Sequence, residues 1–146
     1  MNLNSINILL ADDDKEDRML FKHALAEVPI ATKLTTVNDG EELMDYLSKN
    51  TPDSIDIVFL DLSMPRKTGF ECLSEIKEDD KLKDISIIVF STSFTKDMYF
   101  EQGMINMLVK EGADHFVRKP GDFEQLKSVI HNALKAVIEK KTINQI

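Results

Sequence analysis

Short apolar stretches alternate along the chain with segments in which apolar residues recur every three or four positions. The apolar stretches are rich in β-branched and aromatic residues, as buried strands are, and the segments between them have the periodicity of helices. The predicted strands lie near residues 6–11, 33–37, 55–60, 86–91 and 114–118, and the predicted helices cover about 15–27, 40–49, 70–79, 95–111 and 122–140. This alternation is typical of an α/β protein built around a parallel sheet.

Two features of the pattern refine this prediction. The stretches 55–60 and 85–90 are apolar nearly throughout, as central strands covered on both faces must be. The last predicted helix has the clearest apolar face, so we expect it to pack on the sheet. We expect the tail from residue 140 to 146 to be frayed.

Polar side chains follow the predicted strands at the points where the strands end. The three carboxylates Asp12–Asp14 follow the first strand, Asp61 follows the third, Ser91 ends the fourth and Lys119 follows the fifth. The carboxyl ends of parallel strands share one edge of a sheet, where open α/β folds place their sites. Two like charges about 4 Å apart repel each other by roughly 4 kcal/mol at an effective dielectric near 20, so a cation would stabilise the acidic group.

Composition narrows the class of protein. With 146 residues, 42% of them hydrophobic, the chain is long enough for one core and too short for two typical domains. Its net charge of −8 argues against a direct nucleic-acid partner. No apolar stretch approaches the roughly 20 residues of a membrane span, and the N-terminus has no leader pattern, so a cytoplasmic protein without membrane contact is expected. The single cysteine, Cys72, is expected to be a packed thiol.

Four motifs accompany the predicted strands in the order ILLADDD, IVFLDLSMP, IIVFSTS and ADHFVRKP. In this order and at these distances they resemble the receiver domain of two-component response regulators, of the single-domain, CheY-like kind. The resemblance covers roughly residues 5–138, which leaves 139–146 as a C-terminal tail and no output domain. It implies a flavodoxin-like (βα)5 three-layer sandwich with a parallel five-stranded sheet in the order 2-1-3-4-5.

The resemblance makes Asp61 the phosphoacceptor of a two-component system or phosphorelay, rather than part of an enzyme acting on a separate substrate. Asp61 would take a phosphoryl group from a sensor histidine kinase or a histidine phosphotransfer protein, with Mg²⁺ neutralising the incoming charge. Asp13 would bind the metal directly, Asp12 would hold a metal-bound water, Asp61 would give a third oxygen and Ser63 its backbone carbonyl. Asp14 is better suited to the start of the first helix, where a carboxylate stabilises the exposed amides.

The resemblance also assigns four residues to phosphoryl binding and switching: Ser91, Thr92, Lys119 and Phe116. Lys119 would act as a point charge toward Asp61 or the bound phosphoryl group. Ser91 would donate a hydrogen bond to a phosphoryl oxygen, and Phe116 would change rotamer in response. Pro120 resembles the Lys-Pro step of the family, where the peptide bond is often cis.

The sequence departs from the family pattern in three places. Thr92 replaces a small residue, and its branched side chain should narrow access to the phosphoryl group. Arg66 and Lys67 give a basic loop beside the acidic pocket. The stretch from Ser91 to Lys119 is about two helical turns longer than usual, which predicts an extended fourth helix with a break at Gly103.

The partners implied by the resemblance are the phosphodonor and a downstream protein target. We expect the signal to leave through the fourth helix, the fifth strand and the fifth helix, including residues 102–109. Met98, Met104 and Met107 in this region suit an adaptable contact as well as a core. A homodimer is compatible with the same resemblance.

Three other functions remain open at this stage. A phosphorylation-independent receiver-like binding scaffold would share the fold, although such proteins commonly lose part of the acid set. A Mg²⁺-dependent aspartyl phosphatase of the haloacid dehalogenase type would need a second aspartate where Ser63 stands. A flavodoxin-like electron carrier would need a glycine- and hydroxyl-rich loop where the chain has Asp12–Asp14.

Overall fold

The computed structural model describes residues 5–50, 54–92 and 98–144 of the chain. Its strands are β1 (Ile6–Ala11), β2 (Thr32–Val37), β3 (Ile57–Leu60), β4 (Ser86–Ser91) and β5 (His115–Arg118). Its helices are α1 (Lys15–Ala26), α2 (Gly40–Lys49), α3 (Gly69–Glu78), α4 (Met98–Lys110) and α5 (Phe123–Asn144). The alternation of strands and helices predicted from the sequence is confirmed.

The five strands form one parallel sheet in the order β2-β1-β3-β4-β5. Strand β3 lies at the centre and is buried along its whole length, as its uninterrupted apolar sequence predicts. Edge strand β2 is only partly buried. The sheet order and the flavodoxin-like architecture predicted above are confirmed.

Alternate residues of the strands point into two separate cores. Leu9 and Val58 belong to one core, which packs against α2, α3 and α4, whereas Ile8 and Phe59 belong to the other, which packs against α1 and α5. Cys72 lies in the first core, where burial raises the pKa of its thiol to about 12. It is therefore a packed thiol, as predicted.

Three local expectations are corrected. Helix α5 continues to Asn144, because its last turns carry lysines that suit the helix C-terminus and Lys140 Nζ lies 3.2 Å from Asp114 Oδ1. Gly103 lies within α4 and does not break it, since nothing crowds the helix there. Strand β3 begins at Ile57 rather than at residue 55, because Asp56 places its carboxylate on the amide of Asn7. The predicted start of the fourth helix at 95–97 falls outside the described residues.

No helix in the described ranges is both long and apolar enough to cross a membrane.

Candidate phosphoryl-accepting site

The register of the sheet brings the predicted site residues to one edge. Ala11 pairs with Leu60, so Asp12 and Asp61 follow neighbouring strands, and the Asp61 amide donates to the Ala11 carbonyl at 3.0 Å. On the other side of β3, the Lys119 amide donates to the carbonyl of Ser91 at 2.8 Å. Backbone pairing between parallel strands therefore sets the spacing of the side chains above it.

Lys119 lies at the centre of the site. Its ammonium donates to Asp12 Oδ2 at 2.6 Å, to Asp61 Oδ2 at 3.1 Å and to Asp17 Oδ2 at 3.1 Å. It also lies over the Phe90 ring, 5.6 Å from the ring centre. Burial alone would lower the pKa of Lys119, but the hydrogen bond to Asp12 and the charge of Asp61 raise it above its ordinary value, so the side chain stays protonated.

The Asp61 side chain is nearly buried and held on both oxygens. Its Oδ1 accepts hydrogen bonds from the Ser91 hydroxyl at 3.0 Å and from the Ser63 amide at 3.1 Å, and its Oδ2 accepts from Lys119. Gly69 packs so closely on the Asp61 backbone that an added Cβ would lie 2.3 Å from the Asp61 carbonyl oxygen. The loop that carries Asp61 is therefore fixed by a position that only glycine fits.

The acids that the sequence placed at a metal do lie together. Asp12, Asp13 and Asp61 each offer a carboxylate oxygen within 4.8 Å of the others. Asp12 is only 1% exposed, whereas Asp13 is open to solvent. Burial raises the pKa of Asp12, and the hydrogen bonds from Lys119 and from the Asp14 amide offset part of this effect. One buried and one open carboxylate beside Asp61 form a donor set that fits a hard cation retaining some of its water.

Asp14 has the capping role predicted for it. It is the N-cap of α1, and its Oδ1 accepts from the Asp17 amide at 3.1 Å. It does not belong to the acidic group formed by Asp12, Asp13 and Asp61. Two of the three consecutive aspartates thus face the site, and the third stabilises the helix.

Comparison of the sequence with known proteins assigns the chain to a family. A family model of the response regulator receiver domain matches residues 8–131. The chain belongs to this family. The two-component response regulator ARR17 of Arabidopsis thaliana is 29% identical to it over 87% of this chain and 86% of that protein, and response regulator Rcp1 of Synechocystis is 36% identical over 62% and 64%. For some relatives, such as ARR15 of Arabidopsis thaliana, the chain covers 62% of the relative's length.

Solved receiver proteins share the fold. The phosphorylated cyanobacterial phytochrome response regulator RcpA superposes with a TM-score of 0.76 at 30% identity, over 93% of this chain and 96% of that chain. The Mn²⁺-bound form of Rcp1 superposes with a TM-score of 0.73 at 26% identity, over 87% and 90%. The family consists of phosphoacceptor signalling domains, and this chain is a receiver domain of the two-component class.

One residue of this receiver domain was not predicted from the sequence. Asp17 lies in the first turn of α1, and its carboxylate contacts Lys119 at 3.1 Å. The available signal was its spacing, because Asp17 stands one helical turn beyond Asp13 and three residues beyond the cap Asp14. An acid at that position is also explained by the helix dipole, so the sequence alone did not single it out.

The peptide bond before Pro120 is trans, contrary to the prediction of a cis bond. Trans is the intrinsically favoured isomer by about 0.5–1 kcal/mol, and Lys119 reaches all three acids with it. Two further residues singled out from the sequence lie near this edge of the sheet. Thr92 is exposed directly after β4, and half-buried Phe116 packs against the core that faces α2, α3 and α4.

The basic loop before α3 is paired with acids outside the site. Lys67 Nζ lies 2.6 Å from Glu75, and Arg66 lies 3.7 Å from Asp39. Arg66 adopts a φ of 69°, an uncommon conformation for a residue with a side chain. The two positive charges thus bind neighbouring helices.

Proposed function

We propose that this receiver domain accepts a phosphoryl group on Asp61 from a phosphohistidine of a sensor kinase or phosphotransfer protein, and that it acts as a stand-alone response regulator. The observation that carries this proposal is the surroundings of Asp61, which lies beside two further acids and accepts hydrogen bonds from Lys119 and Ser91. A carboxylate is a weak nucleophile, so its phosphorylation needs positive charge around the transferred group.

In the proposed reaction, an Asp61 oxygen forms a bond to phosphorus as the bond from phosphorus to the histidine nitrogen breaks. Lys119 supplies a fixed positive charge, and the Ser91 hydroxyl, which now donates to Asp61 Oδ1, turns to donate to a phosphoryl oxygen. Neither side chain needs to travel far, because both already contact the acceptor. The product is an aspartyl phosphate.

Mg²⁺ is the proposed cofactor. Asp13 and Asp61 would bind it directly, Asp12 would bind it through a water, and the Ser63 carbonyl would complete the protein ligands. When bound, the ion would neutralise charge on the acceptor and on the phosphoryl oxygens. The support for this ligand set is that Asp12, Asp13 and Asp61 each offer a carboxylate oxygen within 4.8 Å of the others.

The deciding experiment is chemical labelling by a small phosphodonor. With phosphoramidate or acetyl phosphate and Mg²⁺, intact-mass spectrometry should show one added phosphate that is lost on treatment with base. Asp61→Asn should abolish it, whereas Asp56→Asn, which changes an equally buried aspartate at the other end of β3, should be labelled. Equal labelling of wild type and Asp61→Asn would refute the assignment.

We further propose that the phosphorylated form acts on a protein target through α4, β5 and α5. Ser91 ends β4 and pairs with Arg118 of β5, and Phe116 lies two residues earlier on the same strand. On α4, Met107 and Val109 are 44% and 56% exposed, whereas Leu108 between them is fully buried. A helix that buries Leu108 and exposes the apolar residues on either side of it suits a contact surface.

Hydrogen exchange tests this output route. Addition of beryllofluoride and Mg²⁺, which imitate the phosphoryl group on the carboxylate, should change protection in residues 98–118 as well as in the loops around Asp12 and Asp61. The energetic demand is small, because phosphorylation needs only to shift the balance between two packings that differ by a few kcal/mol. Changes confined to the loops would show that the signal leaves by another face.

Cytoplasmic location belongs to the same proposal, since the phosphodonor domains of kinases act there.

A further inference from the structure

Asp17 is the one acid around Lys119 that stands outside the proposed metal and phosphoryl machinery. It lies on α1 rather than at a strand end, and it does not belong to the group formed by Asp12, Asp13 and Asp61. Its side chain is 36% exposed, against 1% for Asp12 and 8% for Asp61. Its contact with Lys119 therefore calls for a separate explanation.

The donors of Lys119 are all in use. A lysine ammonium has three N–H groups, and Lys119 donates one hydrogen bond to each of three carboxylates, Asp12, Asp61 and Asp17. A phosphoryl group on Asp61 brings further oxygens that need a donor. The bond from Lys119 to Asp61 can pass to one of these oxygens, but a second bond to the phosphoryl group requires Lys119 to leave Asp12 or Asp17.

The bond to Asp17 is the one that breaks at least cost. The carboxylate of Asp12 is shielded from water, so loss of Lys119 would leave that buried charge without this partner. Asp17 is open enough for water to replace the lost hydrogen bond. The order of exposure therefore decides which partner Lys119 leaves.

We propose, on the basis of the phosphoryl-accepting function argued above, that Asp17 competes with the phosphoryl group for Lys119. Asp17 is a positioning residue in this account: it holds the third proton of the ammonium in the unphosphorylated protein and lowers the affinity of the site for a phosphoryl group. Removal of its carboxylate frees that proton, so the site binds a phosphoryl analogue more tightly.

The test is calorimetric titration of the full chain with beryllofluoride at saturating Mg²⁺. Asp17→Asn should bind it about two- to fivefold more tightly than wild type, the range expected for the loss of a competing, partly exposed ion pair. Asp17→Glu, which keeps a carboxylate able to reach Lys119, should bind like wild type. Mg²⁺ affinity in the absence of beryllofluoride should be the same for Asp17→Asn and wild type, because Asp17 is not a proposed ligand.

Asp14→Asn is the matched control for charge. It removes one negative charge from the same turn, retains a good N-cap residue and makes no contact with Lys119. In about 0.15 M salt its effect should be well below that of Asp17→Asn. Equal tightening in both variants would show that only the general negative field matters, and weaker binding by Asp17→Asn would show that Asp17 supports the bound state; either result overturns the proposal.

Different results would contradict the phosphoryl-accepting function and the competition by Asp17. Wild-type protein that neither binds beryllofluoride nor is labelled at Asp61 would contradict the phosphoryl-accepting function itself. Wild-type protein that binds it, with Asp17→Asn unchanged, would contradict only the competition by Asp17.

Discussion

Aspartates and a lysine lie at both edges of the parallel sheet, where the strands begin and where they end. At the edge where strands end, Asp12 and Asp61 accept hydrogen bonds from the side chain of Lys119. At the edge where strands begin, Asp56 and Asp114 accept hydrogen bonds from backbone amides of neighbouring strands. The residue types are the same, but their partners differ.

The acids at the starting edge extend the sheet. Asp56 Oδ2 accepts from the Asn7 amide at 2.8 Å, and the Asp56 amide donates back to the Asn7 carbonyl at 2.9 Å. Asp114 and Ile87 form the same reciprocal pair, with both distances 2.8 Å. Each carboxylate takes the place of a main-chain carbonyl and adds a rung to the ladder.

The lysine of the starting edge is satisfied in the same way. Lys77 Nζ donates to the carbonyls of Lys83 and Ile85 at 3.0 and 2.9 Å. At the opposite edge, the partners of Lys119 among the described residues are carboxylate side chains, which can turn away when a ligand arrives. Buried charge bound to backbone stabilises the fold, whereas buried charge bound to other side chains is available for chemistry.

Removal of the Asp114 carboxylate should have the largest effect on stability. Asp114→Ala should lower the free energy of unfolding by about 1–3 kcal/mol, because the amide of fully buried Ile87 loses its acceptor. Urea denaturation measures the change, and Asp114→Asn, which keeps an acceptor oxygen, should recover most of it. The folded variant should still be labelled on Asp61. A folded Asp114→Ala protein that takes no phosphate would mean that both edges serve the reaction.

A second change, of the exposed acid Asp13, should have the opposite sign. Without Mg²⁺, Asp13→Asn should raise the free energy of unfolding by up to about 1 kcal/mol, because one of three neighbouring like charges is removed. Calorimetry should show that the same variant binds Mg²⁺ much more weakly. Asp14→Asn should change Mg²⁺ affinity little, since that residue caps α1. The reverse order of the two affinities would mean that the acids are misassigned.

The same contrast explains which parts of the fold and of the site could be predicted from the sequence. The period of apolar residues predicted all five strands and helices, because burial on both faces of a parallel sheet leaves uninterrupted apolar runs such as those of β3 and β4. Strand ends then placed Asp12, Asp61, Ser91 and Lys119 at one edge. Asp56 and Asp114 lie near strand starts, where the one-dimensional pattern does not reveal a carboxylate that imitates a carbonyl.

What the sequence could not predict depends on contacts between distant segments. Asp17 has an ordinary position in the first turn of a helix, and only the packing of α1 brings it to Lys119, 102 residues away along the chain. Gly103 has poor helix propensity, worth about 1 kcal/mol, yet the helix that contains it is held by Leu108 in the core.

The smallest expected effect comes from the lysine of the starting edge, and it depends on pH. Lys77→Met keeps the stem that packs on Gly112, where an added Cβ would lie 2.8 Å from Lys77 Cγ, and removes the charge. The substitution also removes the donor from the carbonyls of Lys83 and Ile85, but the bond to Lys83 is exposed and water can replace it, so the free energy of unfolding at pH 7 should fall by only about 1 kcal/mol.

The sign of the pH dependence follows from the pKa of Lys77, which burial lowers below its ordinary value of 10.5. A lysine whose pKa is lower in the folded state contributes stability that is fully present above the unfolded pKa and is lost as the pH falls through the folded pKa. Wild type should therefore gain stability relative to Lys77→Met as the pH rises from the lowered value toward 10.5. Denaturation curves of the two proteins across this range measure the difference, with Lys83→Met, an exposed neighbour, as control. A difference that moved the other way would show that Asp114, 3.9 Å from Lys77 Nζ, holds the charge as firmly as the acids around Lys119 do, and the two edges would then be alike.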